Sequence, residues 1–339
     1  MASPTLSIAL ATFNGEKYLP GQLKSLAGQR RPISELVVTD DGSSDATVPL
    51  LRDFAATAPF PVHIFENSER LGYRVNFMHA AAACTGDLIA FCDQDDLWHP
   101  DNTDLVARAF DDPEVMLVFH NAELIDARGR PKGKLFSRKR AKDYPPLSTK
   151  PWMIVPGVVQ ALRRSLLRFT SLHPRSIDPY CPSEPMPHDL WYPFWASVLG
   201  KISYIPDALV EYRQHSENTS GWPHASWIAY LHENIVNAEE YTAANVVNTG
   251  NRLELLEAAR GLVEPPELSR IAEAIRFYRK LHVLNERRLE IYRHVGVGRR
   301  ARVLAALLRE GAYAHSFGYD ALVLDTFVGL PTTRIGRKT

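Results

Sequence analysis

The stretch LIAFCDQDDLW at residues 88–98 runs from an unbroken apolar segment into a cluster of carboxylates. A short apolar run of this kind predicts a buried strand. The carboxylates of Asp93, Asp95 and Asp96 then stand where the strand ends. In an open α/β sheet, ligands bind outside the carboxyl ends of the strands. The stretch therefore predicts both a strand and a binding site at its end.

A second predicted strand also ends in carboxylates, since residues 36–39 (LVVT) run into residues 40–45 (DDGSSD). Either cluster alone has an explanation that needs no ligand, because Asp and Gly are common in turns and Asp is common at helix starts. Two such clusters at strand ends of one α/β sheet favour a shared binding site over two unrelated turns.

The charge density of residues 93–96 indicates a divalent cation. These four residues include three carboxylates, which repel one another. Two unit charges 4 Å apart cost about 4 kcal/mol at an effective dielectric of 20, and a bound cation offsets that cost. Carboxylate oxygens suit Mg²⁺ or Mn²⁺ better than zinc. We therefore predict Mg²⁺ or Mn²⁺ as the cofactor.

Short apolar runs alternate with helical patterns over the first 125 residues, which predicts an α/β domain with a mostly parallel central sheet and helices on both faces. The predicted strands cover residues 6–11, 36–39, 62–66, 88–92 and 115–120, and the predicted helices cover 15–27, 45–56, 73–83 and 102–110. From residue 226 onward the periodicity is helical without strands, so a helical C-terminal region is expected. Its predicted helices cover residues 233–248, 253–262, 267–293 and 300–309.

The composition excludes several classes of protein. With 39 Lys and Arg against 39 Asp and Glu the net charge is zero, so no whole-molecule field attracts nucleic acid and none is expected as a partner. The apolar stretches are shorter than the ~20 residues that span a bilayer, and no export signal precedes the first strand. The three cysteines, Cys84, Cys92 and Cys181, fit a reducing compartment. The expected location is the cytoplasm or the inner face of the plasma membrane.

Residues 126–150 combine many cations with proline and glycine, which predicts a mobile loop. The cations are Arg128, Arg130, Lys132, Lys134, Arg138, Lys139, Arg140 and Lys142. Two interpretations stay open for this segment. It is either a solvated connector, the more common use of such a segment, or a flap that faces an acceptor or a phosphate.

Several motifs occur in a fixed order along residues 5–220. They are ATFNG at 11–15, DDGSSD at 40–45, GYRVNF at 72–77, DQDDLW at 93–98, HDLW at 188–191 and YRQHSEN at 212–218. Each motif is weak alone, but the ordered set resembles the family-two glycosyltransferases with the GT-A fold. Within them it is most similar to the bacterial, rhamnosyltransferase-like enzymes of surface-polysaccharide synthesis.

This resemblance implies an inverting, metal-dependent glycosyltransferase. Its donor would be a nucleoside-diphosphate sugar, dTDP-rhamnose or a UDP-sugar, and its acceptor a hydroxyl of a saccharide or a lipid-linked molecule. Residues 1–223 would form the GT-A catalytic domain, with a nucleotide-binding half at 1–125 and an acceptor half at 126–223. Residues 224–339 would form the helical region.

The resemblance also implies roles for individual residues. It implies that the nucleotide is bound by Thr12, Asn14, Glu16, Asp41, Arg74, Asp93 and Gln94. It implies that the metal is bound by Asp95 and His215. Asp41 would take the base or the ribose, Asp93 would face the ribose, and Arg74 would bind the diphosphate. For Arg74 a solvent-exposed position on the helix surface is as common, and for His215 an ordinary surface position is the alternative. Gly157 matches a small residue near the acceptor, or else it is a turn glycine.

Asp189 matches the general base of the family, and its chemistry has independent support. Inversion at an anomeric carbon needs one base on the face opposite the leaving group, to accept the proton of the acceptor hydroxyl as the new bond forms. An ordinary Asp, with a pKa of about 3.9, is ionised at neutral pH and can do this. The alternative is that Asp189 only caps the helix predicted by the apolar run at 190–199.

Five arginines near the C-terminus surround leucines in a helical pattern. They are Arg293, Arg299, Arg300, Arg302 and Arg309. This helix either lies on an anionic membrane as a peripheral contact, near a lipid-linked acceptor, or packs its leucines on the catalytic domain or on a second copy in a homo-oligomer. Packing is the more common use of such a pattern.

Two other functions fit part of the pattern. A nucleotidyltransferase also uses carboxylates and Mg²⁺ on an α/β sheet, but no Gly-rich, Lys-containing phosphate loop follows the first strand. A catalytically silent sugar-nucleotide-binding subunit of a polysaccharide assembly complex would keep the same motifs. Turnover by a variant at Asp189 separates that subunit from an enzyme.

Overall fold

A mixed sheet of ten strands forms the centre of the N-terminal part of the chain. The computed structural model describes residues 3–149, 154–215, 237–293, 296–313, 321–322 and 325–326. The strands are β1 (Leu6–Thr12), β2 (Glu35–Asp40), β3 (Val62–Glu66), β4 (Leu88–Cys92), β5 (Leu97–Trp98), β6 (Val115–Asp126), β7 (Pro131–Lys134), β8 (Lys142–Tyr144), β9 (Gln160–Arg163) and β10 (Lys201–Gln214). The five strands expected from the sequence are all present.

The strand order is β3-β2-β1-β4-β9-β6-β10-β5, with β7 paired to β6 and β8 paired to β10. Strands β1 to β4 are parallel to one another, and β6 is parallel to β10. Strand β9 lies between β4 and β6 and is antiparallel to both. Because β9 reverses the direction twice, the carboxyl ends of β1, β2, β4, β6 and β10 lie at one edge of the sheet. The predicted α/β fold class is confirmed.

Helices cover the strands, which explains the unbroken apolar runs. The helices are α1 (Leu19–Ala27), α2 (Thr47–Ala55), α3 (Tyr73–Ala83), α4 (Asn102–Ala109), α5 (His188–Leu199), α6 (Ala238–Ala259), α7 (Glu267–Arg293) and α8 (Val297–Arg309). Every residue of β2 and of β4 is buried. Strands that are covered on both faces read as continuous hydrophobic segments rather than as alternating ones.

The chain divides into two compact units. The first contains the described residues up to 173 together with 186–215, and the second contains residues 174–185 together with the described residues from 237 onward. The predicted domain boundary between residues 223 and 224 lies outside the described residues. None of the described helices has both the length and the apolar character needed to cross a membrane.

Two predictions about local structure are wrong. Residues 126–150 include the strands β7 and β8, so they are not a loop throughout. Leu135 is buried, and the ring of Phe136 packs edge-on against the rings of Phe119 and Tyr204, at 5.7 and 5.9 Å between centroids. The predicted helices at 233–248 and 253–262 are also not separate, because α6 continues through Gly250.

The C-terminal arginines do not form one exposed basic face. Arg300 is only 8% exposed, and its guanidinium donates to the carbonyl oxygen of Asp325 at 2.6 Å. Arg299 pairs with Glu290 at 3.2 Å. Leu307 of α8 is fully buried. Helix α8 therefore packs Leu307 within the second unit, whereas Leu308 is exposed.

Candidate active site

A cavity of about 570 Å³ lies in the first unit, at the carboxyl edge of β1, β2 and β4. Its walls contain most of the side chains that the sequence indicates for the site. They are Thr12, Asn14, Asp41, Asp93, Gln94, Asp95, Asp189 and His215. These residues come from five separate segments of the chain, and the sheet brings them together because the strands end at one edge.

Two of the predicted residues do not line this cavity. The Glu16 carboxylate instead accepts a hydrogen bond from the backbone N–H of Ala46, at 2.9 Å, beside the first turn of α2. The guanidinium of Arg74 lies 5.4 Å from the centre of the Tyr73 ring. The structure thus gives Glu16 a capping position and leaves Arg74 outside the lining of the cavity.

Arg70 lines the cavity in a position that the sequence pattern did not indicate. Its guanidinium lies 4.0 Å from the centre of the Phe13 ring. Asp41 fixes the turn that follows, because its two carboxylate oxygens accept the backbone N–H groups of Leu71 and Gly72 at 2.7 and 2.8 Å. An arginine two residues before the glycine of the GYRVNF motif is the only sequence signal for this position.

The carboxylates of Asp93, Asp95 and Asp96 cluster behind the end of β4, with one oxygen of each within 4.8 Å of the others. His215 Nε2 lies 2.7 Å from Asp95 Oδ2. Burial, together with the negative charges of Asp95 and Asp189, raises the pKa of Asp93 to about 7. Burial and the same cluster also raise the pKa of Asp96 well above its usual value.

This donor set fits a divalent cation. Asp96 Oδ2 is buried and accepts no hydrogen bond from the described residues, while Asp96 Oδ1 accepts the backbone N–H of Arg213 at 2.7 Å. A buried carboxylate cluster of this kind is unfavourable unless a positive charge offsets it. Oxygen ligands with a histidine at the edge suit Mg²⁺ or Mn²⁺. Asp93, Asp95 and His215 are the residues placed to hold such an ion from the cavity side.

Gln94 joins the end of β4 to the segment after β1. Its Nε2 donates to the carbonyl oxygen of Phe13, and its Oε1 accepts the backbone N–H of Phe13, both at 2.9 Å. Gly15 makes this approach possible, since a Cβ there would lie 2.2 Å from Gln94 Oε1. The Gln94 side chain is therefore committed to the backbone of Phe13 and shapes the cavity through it.

Asp189 lies in the first turn of α5, which starts at His188 after Pro187. Asp189 is therefore not the N-cap residue. Pro193 has no N–H, so it cannot form the helical hydrogen bond to the Asp189 carbonyl four residues earlier. The Nε2 of the buried Gln160 lies 3.4 Å from that carbonyl oxygen and also donates to the carbonyl oxygen of Val155. Because of the proline, the Asp189 carbonyl oxygen is available to Gln160, and this contact joins the first turn of α5 to β9.

His188 lies beside Asp189 and is 4% exposed. Its ring packs between Phe77 and Phe91, at 4.2 and 4.6 Å between centroids. Burial, together with the positive charges of His173 and Arg74, lowers the pKa of His188 to about 3. The imidazole is therefore neutral at physiological pH, and it acts as a flat apolar spacer beneath the cavity.

Gly157 lines the cavity and touches this imidazole. A Cβ at position 157 would lie 1.9 Å from His188 Nε2. The backbone of Gly157 does not have a positive φ, so the requirement for glycine comes from the close approach and not from a turn.

Gly157→Ala is expected to destabilise the first unit by about 1–3 kcal/mol, because His188 is held between two rings and cannot move aside. Gly28→Ala is the matched control, since a Cβ there meets its nearest atom at 3.5 Å. Thermal unfolding measures both variants. A Gly157→Ala protein with the melting temperature of the Gly28→Ala protein would contradict the expected clash.

Comparisons with known proteins show what this chain is similar to. Residues 7–169 match the family model for glycosyl transferase family 2. Protein Rv1520 of Mycobacterium tuberculosis is 27% identical over 216 residues, which cover 62% of this chain and 59% of that protein. The chain thus spans about three fifths of the length of this curated relative. The dTDP-rhamnosyl transferase RfbG of Shigella flexneri is 31% identical over 119 residues, which cover 33% of this chain and 38% of that protein.

The fold has a counterpart among solved structures. TarS 1–349 of S. aureus in complex with UDP-GlcNAc superposes with a TM-score of 0.54 at 16% identity, covering 98% of this chain and 92% of that chain. At this level of identity the likeness concerns the fold. Residues 7–169 thus form a glycosyl transferase family 2 domain, and the superposition shows that the chain has the GT-A fold.

Proposed function

We propose that this chain transfers a sugar from a nucleoside-diphosphate donor to an acceptor hydroxyl, with inversion at the anomeric carbon. One observation carries the proposal. The cavity is lined by the carboxylates that follow β4 and also by Asp189, which lies close enough for its charge to raise the pKa of Asp93. A metal-binding cluster and a separate carboxylate in one cavity are the two parts that this reaction needs.

Asp189 is the general base of the proposed mechanism. Its carboxylate accepts the proton of the acceptor hydroxyl while the hydroxyl oxygen attacks the anomeric carbon. Gln160 positions the first turn of α5, and with it this carboxylate. A divalent cation held by Asp93, Asp95 and His215 would neutralise the charge that develops on the departing diphosphate.

The remaining lining residues would bind the nucleotide. Thr12, Asn14 and Asp41 line the cavity, and Gln94 shapes it through the backbone of Phe13. Arg70, which lines the cavity whereas Arg74 does not, would meet the diphosphate with a positive charge. Its planar guanidinium against Phe13 also provides a surface on which a base can stack.

The donor that we propose first is dTDP-rhamnose, and a UDP-sugar is the alternative. The motif at residues 93–98 resembles the rhamnosyltransferase version, and the relative RfbG is named a dTDP-rhamnosyl transferase. TarS was solved with UDP-GlcNAc. The acceptor that we propose is a hydroxyl of a saccharide or a lipid-linked molecule in surface-polysaccharide synthesis.

Thermal shifts with nucleotide sugars test this proposal. We expect dTDP-rhamnose with Mn²⁺ to raise the melting temperature, because a ligand at 100 times its dissociation constant adds about 2.7 kcal/mol to stability. The shift should fall sharply without Mn²⁺ or in Asp95→Asn. UDP-GlcNAc and GDP-mannose complete the panel. If no nucleotide sugar stabilises the protein, with Mn²⁺ or without it, the proposed donor class is wrong.

A further inference from the structure

The strongest concentration of charge outside the cavity is the basic segment, which we define as residues 127–142. It contains eight Lys and Arg residues and no Asp or Glu. Because the whole chain carries 39 basic and 39 acidic residues, the rest of the chain has eight more acidic than basic groups. A neutral protein thus concentrates its positive charge in one short stretch.

The structure holds this segment in place and leaves its cations outside. The backbone N–H and carbonyl oxygen of Phe136 both bond to the side chain of Asn121, at 2.9 Å, and Leu135 is buried. All eight cationic residues are exposed. Within the described part of the chain only Arg130 forms an ion pair, with Asp126 at 2.7 Å.

The basic segment begins at the edge of the sheet where the cavity lies. Asp126 ends β6, and its carbonyl oxygen accepts a hydrogen bond from Arg213 Nη1 at 3.3 Å. The Nε of the same arginine donates to the carbonyl oxygen of Asp95 at 2.8 Å. One side chain therefore links the start of the basic segment to the carboxylate cluster. Whatever the segment binds is brought to the edge at which the reaction would occur.

We propose that the basic segment binds the anionic surface of a lipid bilayer and so brings the cavity to a lipid-linked acceptor. The acceptor part rests on the proposed function, whereas the binding itself does not. The cations are spread along β7 and the chain that leads to β8, where they are exposed, and this suits a broad negative surface. Of the five C-terminal arginines Arg300 is buried, whereas all eight cations of the basic segment are exposed.

Flotation of the full chain with vesicles tests the proposal. We expect binding to equimolar phosphatidylglycerol and phosphatidylcholine vesicles, none to pure phosphatidylcholine, and weaker binding as salt rises. The test variant carries Lys132→Gln, Lys134→Gln, Lys139→Gln and Arg140→Gln. Each cation near an anionic surface contributes about five-fold to binding, so this variant should bind about 100-fold or more weakly.

The matched control carries four substitutions in the second unit, Arg293→Gln, Arg299→Gln, Arg302→Gln and Arg309→Gln, and should bind the vesicles at least ten times more tightly than the test variant. The test variant should also transfer sugar to a soluble acceptor at the wild-type rate, and Asp189→Asn should float like the wild type. Flotation thus fails or succeeds independently of catalysis. The proposal is overturned if the wild type does not float, if the test variant floats like the wild type, or if only a soluble polyanion such as heparin binds the segment.

Discussion

Asp189→Asn is expected to lower kcat by about 1000-fold, because an amide of the same shape cannot accept the proton of the acceptor hydroxyl. Binding of the donor with Mn²⁺ should persist, since the nucleotide-binding residues and the cluster after β4 are untouched. The measurements are initial rates of sugar transfer and, separately, the donor-induced thermal shift. A loss of turnover with retained binding assigns the carboxylate to the chemical step.

Asp53→Asn is the matched control, because Asp53 is an exposed carboxylate on α2 and does not line the cavity. It should transfer sugar at the wild-type rate. If Asp189→Asn keeps turnover within about ten-fold of the wild type while binding donor normally, Asp189 is not the base. If neither Asp189→Asn nor Asp53→Asn transfers sugar although both bind the donor, the chain is a silent binding subunit.

The acidic strand ends could be predicted because they depend on local sequence. An apolar run followed by carboxylates places those carboxylates at the edge of a parallel sheet, whatever the rest of the chain does. The structure brings Asp41, Asp93 and Asp95 to one cavity in this way. Asp189 could be suggested only by resemblance, because its place in the cavity depends on contacts of α5 with distant elements.

The sequence could not predict that Arg70 lines the cavity and Arg74 does not. Which of two nearby arginines faces the cavity depends on the turn before α3, and Asp41 fixes that turn from thirty residues away by binding the N–H groups of Leu71 and Gly72. Gly72 has a φ of 79°, which glycine adopts at little cost. The GYRVNF motif contains this glycine, but it does not indicate that the distant Asp41 binds the backbone N–H of the glycine.

Strand β9 and the strands β7 and β8 could not be predicted for the same reason. Strand β9 has four residues, Gln160–Arg163, and it forms only because β4 and β6 lie on either side of it. In the basic segment, Leu135 and Phe136 are the two apolar residues that pack inward among many cations. Local charge dominates such a pattern, so it predicts a loop although tertiary contacts form strands.

Asp325→Ala is expected to destabilise the second unit by about 3–5 kcal/mol, because it removes one partner of a buried ion pair. Asp325 is fully buried, and Arg288 Nε donates to both of its carboxylate oxygens, at 3.0 and 2.8 Å. Tyr292 and Tyr313 donate to the same carboxylate. Burial opposes the charge of Arg288, but the attraction of Asp325 outweighs it and raises the pKa of that arginine.

A double substitution separates the lost partner from the lost packing. Arg288→Met with Asp325→Leu removes both charges and keeps apolar volume, so it should recover much of the stability that Asp325→Ala loses. Thermal unfolding followed by circular dichroism gives the comparison, and the single variant should melt roughly 10 °C below the wild type. Equal melting temperatures for the single variant and the wild type would mean that Arg288 reaches solvent when Asp325 is absent. The buried carboxylate would then not hold α7 to residues 325–326.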